Sequence, residues 1–345
     1  MRTALVTGGA GFFGGILKRR LLEEGWRVVS IDLQKDEDTH PHLTTVQGDI
    51  RDRELMKQLT NEYAFEVIFH CAAILAHAIN DKNFLWSCNV DGTRSVAETA
   101  KAAGIKKIIF TSTNCLWAKN MGRPVREEDA PEPVEIYGLS KWEGEKILQE
   151  YADFLDVVIF RCPTIIDAGR LGLLAILFEF IDEGRKVWVV GGGDNRYQFI
   201  YAQDLADACL KAVGYAGSIL LNIGSDNVRS FKEVYDAVIR RANTGARVAS
   251  LPRGPTILAM KIAYALGLSP LGPYQYKMIA ESFEFDTTKI KKELNWKPTV
   301  TNEDMLWKSY EYYRAHRSEL KTGNDISAHR QPAKMGIIRL LKWLS

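Results

Sequence analysis

Thr3-Ala4-Leu5-Val6-Thr7-Gly8-Gly9-Ala10-Gly11-Phe12-Phe13-Gly14 stands at the start of the chain and decides its fold. A short apolar, β-prone run passes straight into a glycine cluster, which opens a pattern where Ile16, Leu17, Leu21 and Leu22 recur at helical spacing. The stretch reads as strand, tight turn, helix. In such a turn one glycine permits the bend, one lets backbone approach a pyrophosphate, and one lets the helix pack on the strand. The helix then turns its unpaired N–H groups and positive dipole end toward the phosphates.

Gly9-Ala10-Gly11-Phe12-Phe13-Gly14 can arise by chance in a chain of 27 glycines, so context decides. A second run, Arg27-Val28-Val29-Ser30-Ile31, ends in Asp32, eighteen residues past Gly14. A carboxylate there accepts hydrogen bonds from the adenosine ribose and repels a 2′-phosphate. No arginine follows Asp32 directly, so the expected cofactor is NAD rather than NADP.

The 345 residues suffice for a full α/β core with a smaller appended lobe. A net charge of +2 gives no reason to expect nucleic acid as a partner. The charge is uneven, however. Residues 329–345 hold Arg330, Lys334, Arg339 and Lys342 and no acid, a local +4 that leaves −2 for the remainder. The five cysteines (Cys71, Cys88, Cys115, Cys162, Cys209) are scattered without metal-ligand spacing, which predicts reduced thiols and no metal site. Met1-Arg2 leads directly into the first strand, and the longest apolar run, near Leu171 to Phe180, is too short to span a bilayer. A soluble, cytoplasmic protein is expected.

Past Asp32, a polar loop from Gln34 to Pro41 precedes a third strand, Leu43 to Gly48, with Asp49 at its C-terminal end. A helix is predicted over Glu54 to Tyr63 and a fourth strand over Val67 to Phe69. Small residues in His70-Cys71-Ala72-Ala73 let backbone lie close to a cofactor. His70 reads as a packed strand-end histidine satisfied by the backbone rather than as a catalytic group. In the helix predicted over Asn83 to Ala103, mid-helix Asn89 needs a partner, and the simplest is backbone of the neighbouring strand. A fifth strand, Lys107 to Thr113, ends in hydroxyls, and a Pro- and acid-rich loop, Arg123 to Glu135, leads to a helix starting near Tyr137. Strands and helices alternate in the manner of a parallel, doubly wound sheet.

The chemistry is expected on that last pair of elements. Tyr137 and Lys141 are four apart and share a helix face, and of thirteen tyrosines only Tyr137 has a lysine at that spacing. An ammonium, together with an oxidised nicotinamide, favours the phenolate, so Tyr137 can exchange a proton with a substrate hydroxyl that Thr113 also binds.

These residues resemble the extended short-chain dehydrogenase/reductase family, and within it the NAD-dependent nucleotide-sugar epimerases and dehydratases. The likeness covers residues 1 to 225 and runs weakly to about residue 315. It rests on Thr7 through Gly14, Asp32, Gly48-Asp49-Ile50, His70-Cys71-Ala72-Ala73, Asn89-Val90-Asp91-Gly92-Thr93, Thr113, Tyr137-Gly138-Leu139-Ser140-Lys141 and Arg161-Cys162-Pro163-Thr164. The resemblance implies a Rossmann-type doubly wound parallel sheet with a smaller, mostly helical C-terminal substrate lobe. The NAD-binding part is expected over residues 1–165, with 186–222 returning to it in part. Residues 166–185 and 223–320 form the lobe, and 321–345 a linker and basic amphipathic helix. It also implies that Asp49 and Ile50 flank the adenine, that Lys141 holds the nicotinamide ribose, and that Thr113, Tyr137 and Lys141 form the catalytic group. Further cofactor contacts fall to Gly8, Gly11, Phe12, Phe13, Gly14, Ala72, Ala73, Asn89, Thr111 and Cys162, and substrate contacts to Thr113, Asn114, Thr164 and Arg196. A homodimer through the helices carrying Asn89 and Tyr137 is implied as well. Arg196 lies one residue out of register with the commonest form of its motif, and a surface arginine is the alternative.

In the lobe, helices are predicted over Leu171 to Glu183, Phe231 to Ala242, Thr256 to Leu266, Tyr274 to Ser282 and Asn302 to His316, with a strand at Lys186 to Val190. Two departures from the sugar 4-epimerases stand out. No Arg-x-Gly-Asp stretch lies where many of them grip the second phosphate, and the apolar helix after Pro255 resembles relatives that act on steroid-like alcohols. Three reactions therefore stay open: epimerisation of a nucleotide sugar through a transient ketone, net NAD(P)-dependent oxidation or reduction of a bulky apolar alcohol or ketone, and 3- or 5-epimerisation using Cys115. The last follows because Thr113-Asn114-Cys115 resembles the Ser-x-Cys of GDP-mannose 3,5-epimerase and GDP-fucose synthase. A non-catalytic NAD-binding protein is the fourth alternative. The tail from Met335 to Leu344 puts Ile337, Ile338, Leu341 and Leu344 on one helical face, suited either to weak contact with an anionic membrane or to packing on its own domain or a dimer partner.

Overall fold

The computed structural model describes residues 1–75, 81–117, 120–266, 268 and 278–320. The tail, and residues 274–277 of the helix expected over Tyr274 to Ser282, lie outside them. Among the described residues the strands are β1 (Thr3–Thr7), β2 (Arg27–Asp32), β3 (Leu43–Gln47), β4 (Val67–His70), β5 (Lys107–Thr113), β6 (Asp156–Cys162), β7 (Thr164–Ile166), β8 (Lys186–Val190), β9 (Phe199–Tyr201), β10 (Ile219–Asn222) and β11 (Arg247–Leu251). The helices are α1 (Phe12–Glu23), α2 (Arg53–Glu62), α3 (Lys82–Ala102), α4 (Ile136–Glu150), α5 (Leu174–Asp182), α6 (Ala202–Val213), α7 (Phe231–Ala242), α8 (Arg253–Ala265), α9 (Thr288–Leu294) and α10 (Asn302–Leu320).

Seven strands form one all-parallel sheet in the order β10-β6-β5-β4-β1-β2-β3, the Rossmann-type arrangement expected. The chain runs outward from β1 through β2 and β3, then crosses back to β4 on the other side of β1. That reversal leaves a crevice at the C-terminal ends of β1 and β4, where open α/β sheets bind ligands. Both faces of the sheet are covered, which is why β4 and β6 are buried almost along their length rather than alternating. On one face Leu17, Leu21, Leu205, Ala208, Leu294 and Trp296 pack on Ala4, Val6, Phe69 and Phe160. On the other, Met56, Leu59, Val96, Ala100 and Leu148 pack on Leu5, Val29, Ile68 and Ile159.

A second core joins Ile166, Phe178, Ile181, Val187, Phe199, Phe231, Val238, Leu306 and Tyr310. Here β8 pairs in parallel with β11, and β7 with β9, so β8 does not rejoin the large sheet. The lobe from Ser230 onward is mostly helical as expected, but β11 was not foreseen. Its Ala249 and Ser250 are weak strand formers, and its half-exposed side chains lack a clear alternation, so the strand depends on its partner β8. Helix α7 starts at the boundary read from sequence, fixed by a capping box in which Ser230 and Glu233 satisfy each other's backbone N–H, and it stops at left-handed Asn243. Among the described residues no helix is long and apolar enough to cross a membrane.

Candidate active site at the C-terminal ends of the strands

The glycine turn is built to admit something close. Gly8 has φ of +74°, and a Cβ on it would lie 2.8 Å from the Ala72 backbone. A Cβ on Gly14 would lie 2.0 Å from the Gly8 carbonyl oxygen, so α1 rests directly on the turn. Helix α1 begins at Gly11 with no side-chain cap and no acid in its first turn, leaving its positive end open to an anion. Phe12 and Phe13 bury their rings in the core, so only their backbone is offered there. Asp32 closes the turn from the end of β2. Its Oδ2 accepts from the Ala10 N–H (3.1 Å) and its Oδ1 from the Gln34 N–H (2.9 Å), while burial raises its pKa against these bonds. A carboxylate so placed still has acceptor positions for ribose hydroxyls, and the cradle as a whole fits a dinucleotide.

Asp49 and Ile50 follow β3 on the same side. Arg51 grips Asp49 through its Nε and Nη2, which lowers the Asp49 pKa, and Ile50 lies in a notch of α3 where a Cβ on Gly92 would come 2.7 Å from its Cδ1. Beyond β4, Ala72 donates its N–H to the Thr7 hydroxyl (3.2 Å), and Ala73 continues the same loop. His70 is fully buried between Thr7 Oγ1 (2.7 Å, at Nδ1) and Thr93 Oγ1 (2.9 Å, at Nε2). Thr93 donates its proton to the Asn89 carbonyl (2.6 Å), so it must accept from His70, which places the imidazole proton on Nε2. Burial holds the His70 pKa down to about 3, with Lys141 adding to the fall. The structural reading of His70 stands, but its partners are threonine hydroxyls rather than backbone. Asn89 finds a backbone partner, in the loop after β4 rather than in the strand expected: Oδ1 accepts from the Ile74 N–H (2.7 Å), and Nδ2 donates to the Ile74 carbonyl (3.0 Å) and to Ser140 Oγ (2.9 Å). Its side chain thus ties the loop after β4 to α4.

Thr113 ends β5, opposite Cys162 at the end of β6. Its hydroxyl accepts from the Cys115 N–H (3.1 Å) and caps a short 3₁₀ turn, Asn114–Leu116. That turn lies against the start of α4, where a Cβ on Gly138 would meet the Cys115 carbonyl at 2.3 Å, so Tyr137 arrives beside Thr113 and Cys115. Burial raises the Tyr137 pKa, Cys115 and Cys162 add to the rise, and a hydrogen bond to Thr113 and the charge of Arg170 oppose it. Lys141 is 2% exposed with its Nζ 3.8 Å from the centre of the Phe110 ring. Burial lowers its pKa to about 7, against Cys71, Glu145 and Cys162, which favour its charged form. Among the chain's own groups, Thr113 and Arg170 are the ones that oppose the rise at Tyr137, and burial weakens the hold of Lys141 on its proton. Thr111 lies one turn of the strand below Thr113, its hydroxyl 3.5 Å from the His70 carbonyl. Cys162 is buried with its Sγ donating to the Phe160 carbonyl (3.6 Å), and burial raises its pKa.

One feature escaped the sequence reading. One turn after Lys141 on the same face of α4 lies Glu145, fully buried, held by Arg161 from β6 through Nε (3.1 and 3.2 Å) and Nη2 (2.7 Å), with the Ser112 hydroxyl donating to its Oε1. Arg161 also donates to the Glu127 carbonyl (3.1 Å) and lies 5.0 Å over the Trp117 ring. A Tyr-x-x-x-Lys-x-x-x-Glu spacing was available in the sequence, but nothing there named the partner on β6. Arg170, the cation that the loop after Arg161 offers, stands 5.7 Å over the Phe12 ring at the start of α1 and opposes the rise of the Tyr137 pKa. It thus acts on both the start of α1 and the tyrosine.

The residues expected to touch substrate are not all brought together. Asn114 is buried and donates to the Tyr197 hydroxyl (2.6 Å), and Thr164 opens β7. Arg196 is exposed, with its backbone N–H on Ser282 Oγ (3.0 Å); burial raises the pKa of nearby Glu284, and the charge of Arg196 opposes that rise. The neighbouring Tyr197 is the side chain of that segment that reaches Asn114.

Several known proteins resemble this chain. The chain is 39% identical over 345 residues to the uncharacterised protein y4nG of Sinorhizobium fredii, covering 99% of this chain and 86% of that one. It is 29% identical over 336 residues to the UDP-glucose 4-epimerase of Mycolicibacterium smegmatis, covering 91% and 99%. In three dimensions it superposes on the UDP-glucose 4-epimerase of Thermotoga maritima, solved with UDP-glucose, with a TM-score of 0.76 at 24% identity, covering 91% and 99%. Residues 4–224, from the first strand through the last strand of the large sheet, match the NAD dependent epimerase/dehydratase family. The chain therefore belongs to that family and is an NAD-dependent enzyme of the extended short-chain dehydrogenase/reductase type.

Proposed function

We propose that this enzyme epimerises a nucleotide-activated sugar by transient oxidation of a ring hydroxyl. The observation that carries the reading is the meeting of Thr113, Tyr137 and Lys141 at the end of β5, beside a turn that fits NAD and in a chain akin along its length to a UDP-glucose 4-epimerase. Gly8, Gly11, Gly14 and the N-terminus of α1 would hold the pyrophosphate, Asp32 the adenosine ribose, and Lys141 the nicotinamide ribose. NAD supplies the chemistry of taking up a hydride and giving it back. Tyr137 accepts the proton of the substrate hydroxyl and later returns it, while Thr113 fixes that hydroxyl. Arg170 and a protonated Lys141 favour the phenolate. Cys115, near enough to Tyr137 to raise its pKa, supports a second reading in which its thiol moves a proton on carbon beside the transient ketone. A homodimer through α3 and α4 is part of the proposal, supported by the exposure of Trp86 and Leu139 on those helices.

The test is a screen of nucleotide sugars by mass spectrometry and by absorbance at 340 nm. Interconversion without accumulation of NADH, lost in Tyr137→Phe, is the expected outcome. Stoichiometric NADH would instead establish a net dehydrogenase, and exchange of deuterium from solvent into a ring carbon, lost in Cys115→Ser, would favour the second reading.

A further inference from the structure

Helix α8 carries its apolar side chains outward. Leu258, Ile262 and Leu266, four residues apart, form one stripe running off its end, and with Tyr264 and Leu268 they are 48% to 66% exposed. Within α8 only Ala263 is buried. An isolated exposed leucine needs no explanation, whereas a row of them on one helix marks a surface that another body covers.

Charge discriminates between the candidates. From Arg253 to Leu268 the chain holds two bases, Arg253 and Lys261, both exposed, and no acid. The apolar tail of the same chain, residues 329–345, holds four bases and no acid, so seating it on α8 would set like charges side by side. A second copy meeting α8 through its own α8 has the same fault. An anionic lipid surface accepts both features at once, taking the leucine stripe at the acyl boundary and the bases among the headgroups.

We propose that α8 is an interfacial helix by which this protein docks on an anionic bilayer. The stripe Leu258, Ile262 and Leu266 enters the surface, and Arg253 and Lys261 face the headgroups. Since these side chains are exposed, replacing them leaves the cores of the fold intact. The experiment is vesicle flotation of the full chain with phosphatidylglycerol/phosphatidylcholine vesicles and with phosphatidylcholine alone, beside a variant carrying Leu258→Ser, Ile262→Ser and Leu266→Ser. The wild-type chain is expected to float with the anionic vesicles at least tenfold more than with the neutral ones. The triple variant should lose about tenfold, with unchanged circular dichroism and sedimentation coefficient. A full chain with Arg339→Glu and Lys342→Glu should keep the dependence on the α8 stripe. Equal flotation of wild type and triple variant, or no flotation of either, overturns the proposal. So does a fall in sedimentation coefficient in the triple variant, which would make a second copy the occupant, or a rise in tail proteolysis there, which would make it the tail.

Discussion

Replacing Glu145 by glutamine tests whether the buried pair beneath Lys141 organises the site. Both partners are almost wholly removed from solvent, at 0% side-chain exposure for Glu145 and 5% for Arg161. Glutamine keeps an oxygen for the Ser112 hydroxyl but turns an N–H toward the Arg161 donors, so the guanidinium is left buried without its counter-charge. At about 3 Å and an effective dielectric near 20, the lost attraction has an upper bound of ~5 kcal/mol, and breaking such pairs by removing one partner costs about 3–5 kcal/mol. With a urea slope of ~3 kcal/mol per molar, the unfolding midpoint should fall by about 1–1.7 M. Arg161→Met should cost a similar amount, since it strands the carboxylate. The double variant removes both charges together, so its loss should be smaller than the sum of the singles by about 2 kcal/mol or more. Strict additivity of the two losses would refute the reasoning. A second readout is independent of stability: Glu145 favours the charged form of Lys141, so in Glu145→Gln any activity that needs the ammonium should decline at lower pH than in the wild type.

Gly14→Ala puts a methyl group 2.0 Å from the Gly8 carbonyl oxygen and 2.7 Å from its carbon, neither of which can swing aside, so NAD affinity should fall at least tenfold, about 1.4 kcal/mol. Gly254→Ala, with no heavy atom within 4 Å of the added carbon, should leave the same titration unchanged. His70 makes stability depend on acid: its folded pKa of about 3 lies below the unfolded value of 6.5, so between these values the unfolded chain binds the extra proton. Stability should therefore drop as pH falls from 6.5 toward 3, by up to about 4–5 kcal/mol. Denaturant midpoints at pH 7, 5 and 4 should show this loss in the wild type and a shallower one in His70→Gln.

Local patterns made the first five strands legible in the sequence: β1, β2, β4 and β5 are largely buried parallel strands that read as short apolar runs closed by glycine or small polar residues, and β3, a half-exposed edge strand, reads as a β-branched run ending at Gly48. The glycine turn and Asp32 were legible for the same reason: their geometry is fixed within one βαβ unit. What escaped was set by partners distant in sequence. Strand β11 exists because β8 lies beside it, and the meeting of Glu145 with Arg161 requires that α4 cover β6. The chain's charge pattern similarly could not tell that burial would bring the Lys141 pKa to about 7. Arg196 attracted attention by its place in a motif, yet the folded chain leaves it exposed and brings Tyr197 to Asn114 instead.

Trp296 has a consequence for how this protein is made. Its ring is fully buried in the core shared with Ala4, Leu17 and Phe69, its Nε1 donates to the Asp204 carbonyl (2.9 Å), and Thr299 secures the Asp204 carboxylate from the same segment. The cofactor half of the molecule is thus sealed by residues translated long after its own last contact with the glycine turn. At ~5–20 residues per second, the ribosome needs roughly 7–26 s to pass from residue 165 to Trp296. For that interval the nascent chain carries an apolar face that its own sequence cannot yet cover. A message truncated anywhere in that span should yield a chaperone client rather than a small NAD-binding protein.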